Sequence, residues 1–122
     1  MNIEKKEKYL LIVGEGVKRE FAELVEGSKV ILNAVQNANC NLVLADYRNV
    51  RFEMDQTQAF NIIRHYEGRM QTFNSIAAAV VLGEENLGIG EVWSRVASAR
   101  GFNFKIFSDY AEAERWILSQ PG

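Results

Sequence analysis

Four short apolar runs, residues 9–13, 42–45, 76–82 and 104–107, are continuous rather than alternating, and a segment of different period separates each from the next. A strand covered on both faces has this pattern, because neither face then tolerates side chains that need water. From Phe21 the apolar positions recur at Leu24, Val25, Ile31, Leu32 and Val35, with small Ser28 admitted, which traces one stripe of a long helix. Val30 falls outside that stripe, and Gly27 weakens its middle. A second segment carries Ala59, Ile62, Ile63, Tyr66 and Met70 on one face, with Asp55 and Gln58 spaced as a capping box at its start. A third runs through Ile89, Val92, Trp93 and Val96 to Arg100. Gly101 then offers a left-handed stop, with Phe102 folding back on Ala97. The chain closes on a strand, Asp109 and Glu112 as another capping box, and a buried stripe of Tyr110, Ala113, Trp116 and Ile117. Strand and helix therefore alternate four times, which predicts an α/β layer with right-handed crossovers. Residues 2–8 add an expected antiparallel edge strand, guarded by Lys5, Lys6 and Lys8.

Length and charge narrow the function classes. A chain of 122 residues fits one domain, residues 1–122, that buries roughly two thirds of its unfolded surface without a disulfide or metal. Fourteen basic against sixteen acidic side chains leave a net charge of -2, which supplies no field for nucleic acid or an anionic membrane. Cys40 is the single cysteine, so no internal disulfide forms, and a reducing cytoplasm is the expected compartment. The start of the chain is charged, and no apolar run approaches the roughly twenty residues that span a bilayer.

In open α/β sheets, ligands gather beyond the carboxyl ends of the strands, so the segments after residues 13, 45, 82 and 107 are the informative ones. Gly14-Glu15-Gly16 lacks the third glycine of a dinucleotide fingerprint and reads as a simple turn. The next loop gathers Asp46, Tyr47, Arg48, Asn49, Arg51, Glu53, Asp55 and Thr57. Asp46 is its best-placed titratable group: a carboxylate there can accept a ligand, a metal or a phosphoryl group, and pairing with a neighbouring arginine or capping of backbone amides is the structural alternative. Arg48, Arg51, Arg64 and Arg69 are interleaved with Glu53, Asp55 and Glu67, the composition of a solvated mixed face. Residues 83–90 imitate a phosphate loop, but no Lys or Ser/Thr follows the last glycine, and Glu84 and Glu85 occupy the end an anion needs. Gly88 and Gly90 each weaken a helix by about 1 kcal/mol relative to alanine, for which close packing is the readiest reason. His65 is the only histidine and has no partner at ligand spacing. Ser94 and Ser98 lie inside a helix and outside any nucleophile elbow. No catalytic set, cofactor or metal site is expected.

Leu42-Val-Leu-Ala-Asp46-Tyr-Arg-Asn-Val50, Ile76-Ala-Ala-Ala-Val-Val81 and Phe104-Lys-Ile-Phe-Ser-Asp-Tyr-Ala-Glu-Ala-Glu-Arg-Trp-Ile117 together resemble the SpoIIAA-like branch of the STAS superfamily, that of sulfate transporters and anti-anti-sigma factors. The resemblance runs from about Tyr9 to Leu118. It implies an α/β fold with a single-layer mixed, mostly parallel sheet of four to five strands and four helices, packed mainly on one side. In anti-anti-sigma members a phosphorylatable serine begins the helix after the Asp-ending strand. Here the matching stretch is Phe52-Glu-Met-Asp-Gln-Thr-Gln58, with Thr57 as its only hydroxyl and the one candidate phosphorylation site. A response-regulator receiver fits less well, since its acidic pair, hydroxyl and lysine find no counterparts after the first, fourth and fifth strands.

The resulting expectation is a non-catalytic cytoplasmic regulatory or protein-interaction module. Its partner or ligand surface is drawn from Asp46, Arg48, Asp55, Thr57, Gly83, Gly88 and Gly90. The partner is a protein or a second copy of the chain, the latter through the edge strand or off-stripe Val30. The alternative is a domain that binds a small apolar or amphipathic ligand, a lipid or a nucleotide, in a pocket lined by Tyr47, Phe52, Met54 and Trp93. Packing in an ordinary core is the plain use of those four residues.

Overall fold

The apolar runs pair into one sheet of five strands in the order β1 (Asn2–Lys5), β2 (Leu10–Lys18), β3 (Leu42–Phe52), β4 (Ala77–Leu82) and β5 (Asn103–Phe107). The computed structural model describes residues 1–55, 57–58, 61–62, 64–65 and 75–121. β1 joins β2 antiparallel, as expected of a lysine-bearing edge, and the remaining neighbours are parallel. Among the described residues three α-helices accompany the sheet, α1 (Phe21–Ala38), α2 (Leu87–Ala99) and α3 (Tyr110–Leu118), with a 3-10 turn at Glu84–Asn86 leading into α2.

Both faces of the sheet are covered, which is why the strands read as continuous apolar runs. Val43, Ala45, Ala78, Val80, Leu82 and Phe104 face a core completed by Leu24, Ile31 and Leu32 of α1 and Trp93, Val96 and Ala97 of α2. Leu42, Leu44, Ala77, Ala79 and Val81 face the opposite core, with Ala113 and Ile117 of α3. Among the described residues, two helices therefore share one face and α3 covers the other, where the resemblance implied packing mainly on one side.

The helix boundaries follow local chemistry. Glu23 accepts hydrogen bonds from the Arg19 and Glu20 backbone N–H groups at 2.9 and 3.1 Å, which opens α1. These bonds hold the Glu23 carboxyl below its ordinary range. Asp109 Oδ2 accepts from Glu112 N at 3.1 Å, the cap expected for α3. Gly101 ends α2 at φ +84°, and the Gly101 and Phe102 N–H groups donate to Ser98 O and Ala97 O at 3.1 and 3.0 Å. That is the Schellman arrangement, with buried Phe102 over Ala97 as anticipated. Asn39, at φ 50°, performs the same task for α1, and sequence reading passed it over.

Three expectations are corrected. Gly14-Glu15-Gly16 is not a turn, and residues 46–52 are not a loop, because β2 and β3 keep pairing as far as Lys18 and Phe52. Their backbones satisfy each other there, so polar side chains are admitted beyond the point where the apolar runs stop. The expected four helices become three among the described residues. Thr57, Gln58, Asn61, Ile62, Arg64 and His65 have helical backbone within the second predicted helix, and Gln58 N donates to Asp55 Oδ1 at 3.1 Å as its cap requires. Ala59, Ile63, Tyr66 and Met70 lie outside the described residues.

Candidate functional site

An extra residue in β3 organises the region that the sequence singles out. Between the pairs Val13–Asp46 and Glu15–Asn49, β2 advances two residues while β3 advances three, so β3 carries a bulge. The insertion reverses the alternation of the side chains beyond it. Asp46 stays with Leu44 on the α3 face and Tyr47 with Ala45 on the α1/α2 face, while Val50 and Phe52, of the other parity, turn to the α1/α2 face as well. Gly14 lies beneath: a Cβ there would stand 2.9 Å from the Tyr47 ring and 3.0 Å from Val50 Cγ2.

On the α1/α2 face the structure contains a cavity of about 160 Å³. Ala45, Ala78, Val80 and Leu82 form its floor, α1 contributes Leu24, Gly27 and Ile31, and α2 contributes Ile89, Gly90 and Trp93. Tyr47, Phe52, Met54 and Trp93, the four residues named from sequence for an apolar pocket, all line it. Trp93 stacks on Phe104, with ring centroids 5.0 Å apart and planes 11° apart. Glu15, Lys18 and Glu23 are the only charged side chains in the described lining. Each is at least partly exposed, which places the polar mouth there.

Asn86 is the residue that sequence reading missed. It is 2 % exposed, donates from Nδ2 to Val50 O at 2.7 Å and accepts from Phe52 N at 3.2 Å. The amide thereby ties the turn before α2 to the far end of β3, where no strand on the β4 side remains to pair. Its only sequence signal is an amide between acidic and apolar residues, which many exposed turns share.

The α3 face carries a polar group of its own. Asp46 receives Arg48 Nε and Nη2 at 2.8 and 2.7 Å, a two-point pairing that holds its carboxyl below the usual range. The Arg48 guanidinium lies 5.4 Å from the centre of the Tyr110 ring. Tyr9, 4 % exposed, donates to Glu114 Oε2 at 2.6 Å and lies 3.4 Å from Tyr110 Oη. Burial, then the Glu114 and Tyr110 hydrogen bonds, push the Tyr9 phenol well above the usual tyrosine range. The arginine partner foreseen for Asp46 is thus its near neighbour on the same strand.

The predicted surface residues divide between these places. Asp46 and Arg48 belong to the α3 face, and Gly83 adjoins the Arg48 backbone, its virtual Cβ 3.1 Å from Arg48 O. Asp55 and Thr57 are exposed beyond the end of β3. Gly88 meets open space, whereas a Cβ on Gly90 would lie 2.5 Å from Leu82 Cδ1, so close packing explains only the second glycine. Arg19 and Arg51 both pair with Glu53, at 2.9 and 3.3 Å, in the mixed charged surface anticipated. His65 packs edge-on against Phe21. Among the described residues no cluster of His, Cys, Asp and Glu is placed to hold a metal, and no helix is long and apolar enough to cross a membrane.

No family model matches the sequence, and no curated protein does. Among solved structures, the chain is similar to an uncharacterized protein of the DUF3478 family from Shewanella loihica PV-4, which has a SpoIIAA-like fold. Identity is 18 %, the match covers 95 % of this chain and 90 % of that one, and the TM-score is 0.58. The alternation of β and α segments, the mixed five-stranded sheet and this likeness together establish that the chain has the SpoIIAA-like fold expected from its closing motifs.

Proposed function

We propose that this chain is a regulatory module of STAS type that takes a small apolar or amphipathic molecule into the cavity on its α1/α2 face. The apolar cavity itself carries the reading. Apolar side chains that face open space rather than one another forgo part of their packing contacts. An occupant recovers those contacts. Phe52 and Met54 line the cavity, and the same short stretch continues into exposed Asp55 and Thr57. Occupancy is thereby linked to a surface that a protein partner can read.

Native mass spectrometry of freshly purified protein tests the first half of this reading. A bound mass that is released by organic solvent, and that is lost in Ala78→Leu with the fold intact, supports it. A bare chain mass together with no saturable uptake of any apolar probe overturns it. For the second half, capture of a protein partner is compared with and without the ligand, and in the charge reversals Arg48→Glu and Asp55→Lys. A partner indifferent to both variants and to occupancy removes the regulatory surface.

A further inference from the structure

The chemistry of the lining narrows the ligand, on the footing that the cavity is a binding site. Of its described lining, Ser28 and Glu23 are engaged and Glu15 and Lys18 lie at the mouth, while the Tyr47 hydroxyl and the Trp93 indole N–H are neutral polar groups of the wall. Ser28 Oγ donates to Leu24 O at 2.8 Å, and the Glu23 carboxylate accepts the two backbone N–H groups that open α1. Asn86, which adjoins the cavity-lining end of β3, commits its amide to Val50 and Phe52. Among the described residues, no buried side-chain nitrogen or oxygen lacks a hydrogen-bond partner. A charged group carried into this space would lose its water with no opposite charge among the described interior residues to meet it. The mouth sets Glu15 and Glu23 against Lys18, so it offers no net attraction to a polyanion.

Size is the second constraint. About 160 Å³ is close to the apolar cavities of about 150 Å³ that stay dry and admit benzene or xenon. A long acyl chain or a nucleotide exceeds that space several-fold or brings charge that nothing inside meets. Tyr47, Phe52, Trp93 and Phe104 around the cavity suit a flat ring, which gains edge and face contacts from aromatic neighbours.

We infer that the ligand is a compact, uncharged, largely apolar molecule of about one ring. Fluorobenzene serves as the probe, followed by fluorine NMR and thermal melting of the full chain, with palmitate and ATP titrated in parallel. The expected result is saturable fluorobenzene binding with a raised Tm, weakened at least about tenfold by Ala78→Leu and unaffected by Val30→Ser on the outside of α1. Ala45→Val provides a milder filling variant should Ala78→Leu fail to fold. Tight binding of palmitate or ATP that fluorobenzene does not displace overturns the size class and leaves the ligand-binding reading standing. No saturable binding of any of the three, with a bare native mass, overturns both.

Discussion

On the α3 face, Ala77 and Ala79 lie beneath Ala113 and Ile117, and small residues on strand and helix bring the two layers into full contact. On the α1/α2 face, Ala45 and Ala78 also present small side chains, yet there the space above them is a cavity. The same residue type, one position apart along β4, closes one core and opens the other. What differs is the covering layer: one short helix settles onto the alanines of the α3 face, whereas the other face is shared by α1 and α2. Gly90, pressed against Leu82 and Ile106, brings α2 down on one flank of the sheet and leaves the space over Ala45 and Ala78 between the helices. Packing density in this protein is therefore decided by the helices, with the strands supplying room on both sides.

The sharpest way to break the comparison is truncation on the filled face. Ile117→Ala, at a site with no exposure, should cost about 3 kcal/mol in denaturant unfolding, since nothing nearby can relax into the space. A loss below about 1 kcal/mol would mean that this face is loosely packed as well. The reverse experiment uses adjacent alanines. Ala79→Leu should destabilise by about 1–3 kcal/mol through overpacking, while Ala78→Leu, entering the cavity, should leave stability unchanged or raise it. Equal penalties at both positions would erase the distinction between the faces.

Polar contacts give smaller effects. Tyr9→Phe removes the hydroxyl bonded to Glu114 and should cost about 1–2 kcal/mol near neutral pH. Because the folded-state phenol is raised above its ordinary value of 10.0, its contribution is complete below that pH and declines as pH rises past it. Alkaline unfolding of wild type should therefore be steeper above about pH 10 than that of the variant. Asp46→Asn should cost less than about 1 kcal/mol, since Arg48 is half exposed and its pairing is screened. The Asp46 carboxyl is lowered, so its share is present above the unfolded value near 3.8 and disappears as pH falls. Acid titration of both proteins, followed by circular dichroism, should show their stabilities converging below that pH.

Much of the fold was legible because it rests on local signals. Gly101, Asp109 and the stripe of α1 each declare themselves within a few residues, and the continuous strands announce two covered faces. The extensions of β2 and β3 were not legible, since their pairing depends on each other's backbone rather than on side chains. Glu15 and Arg51 look like loop residues until the partner strand is in place. The candidate site was half legible: Tyr47, Phe52, Met54 and Trp93 are large apolar residues that sequence gathers near one end of the sheet. Whether they fill a core or surround a space depends on fractions of a side chain's volume, which no periodicity encodes. Asn86 escaped because its partners are two backbone groups more than thirty positions away.

The bulge in β3 also fixes what insertions and deletions this chain can survive. Tyr47 and Arg48 together stand opposite the single residue Gly14, so removing one residue between Asp46 and Asn49 would straighten β3 and leave Val50 and Phe52 paired with Gly16 and Lys18 on the α1/α2 face. The same deletion at Arg51 would turn Phe52 toward α3, so a change of length is tolerable inside the bulge and damaging just beyond it.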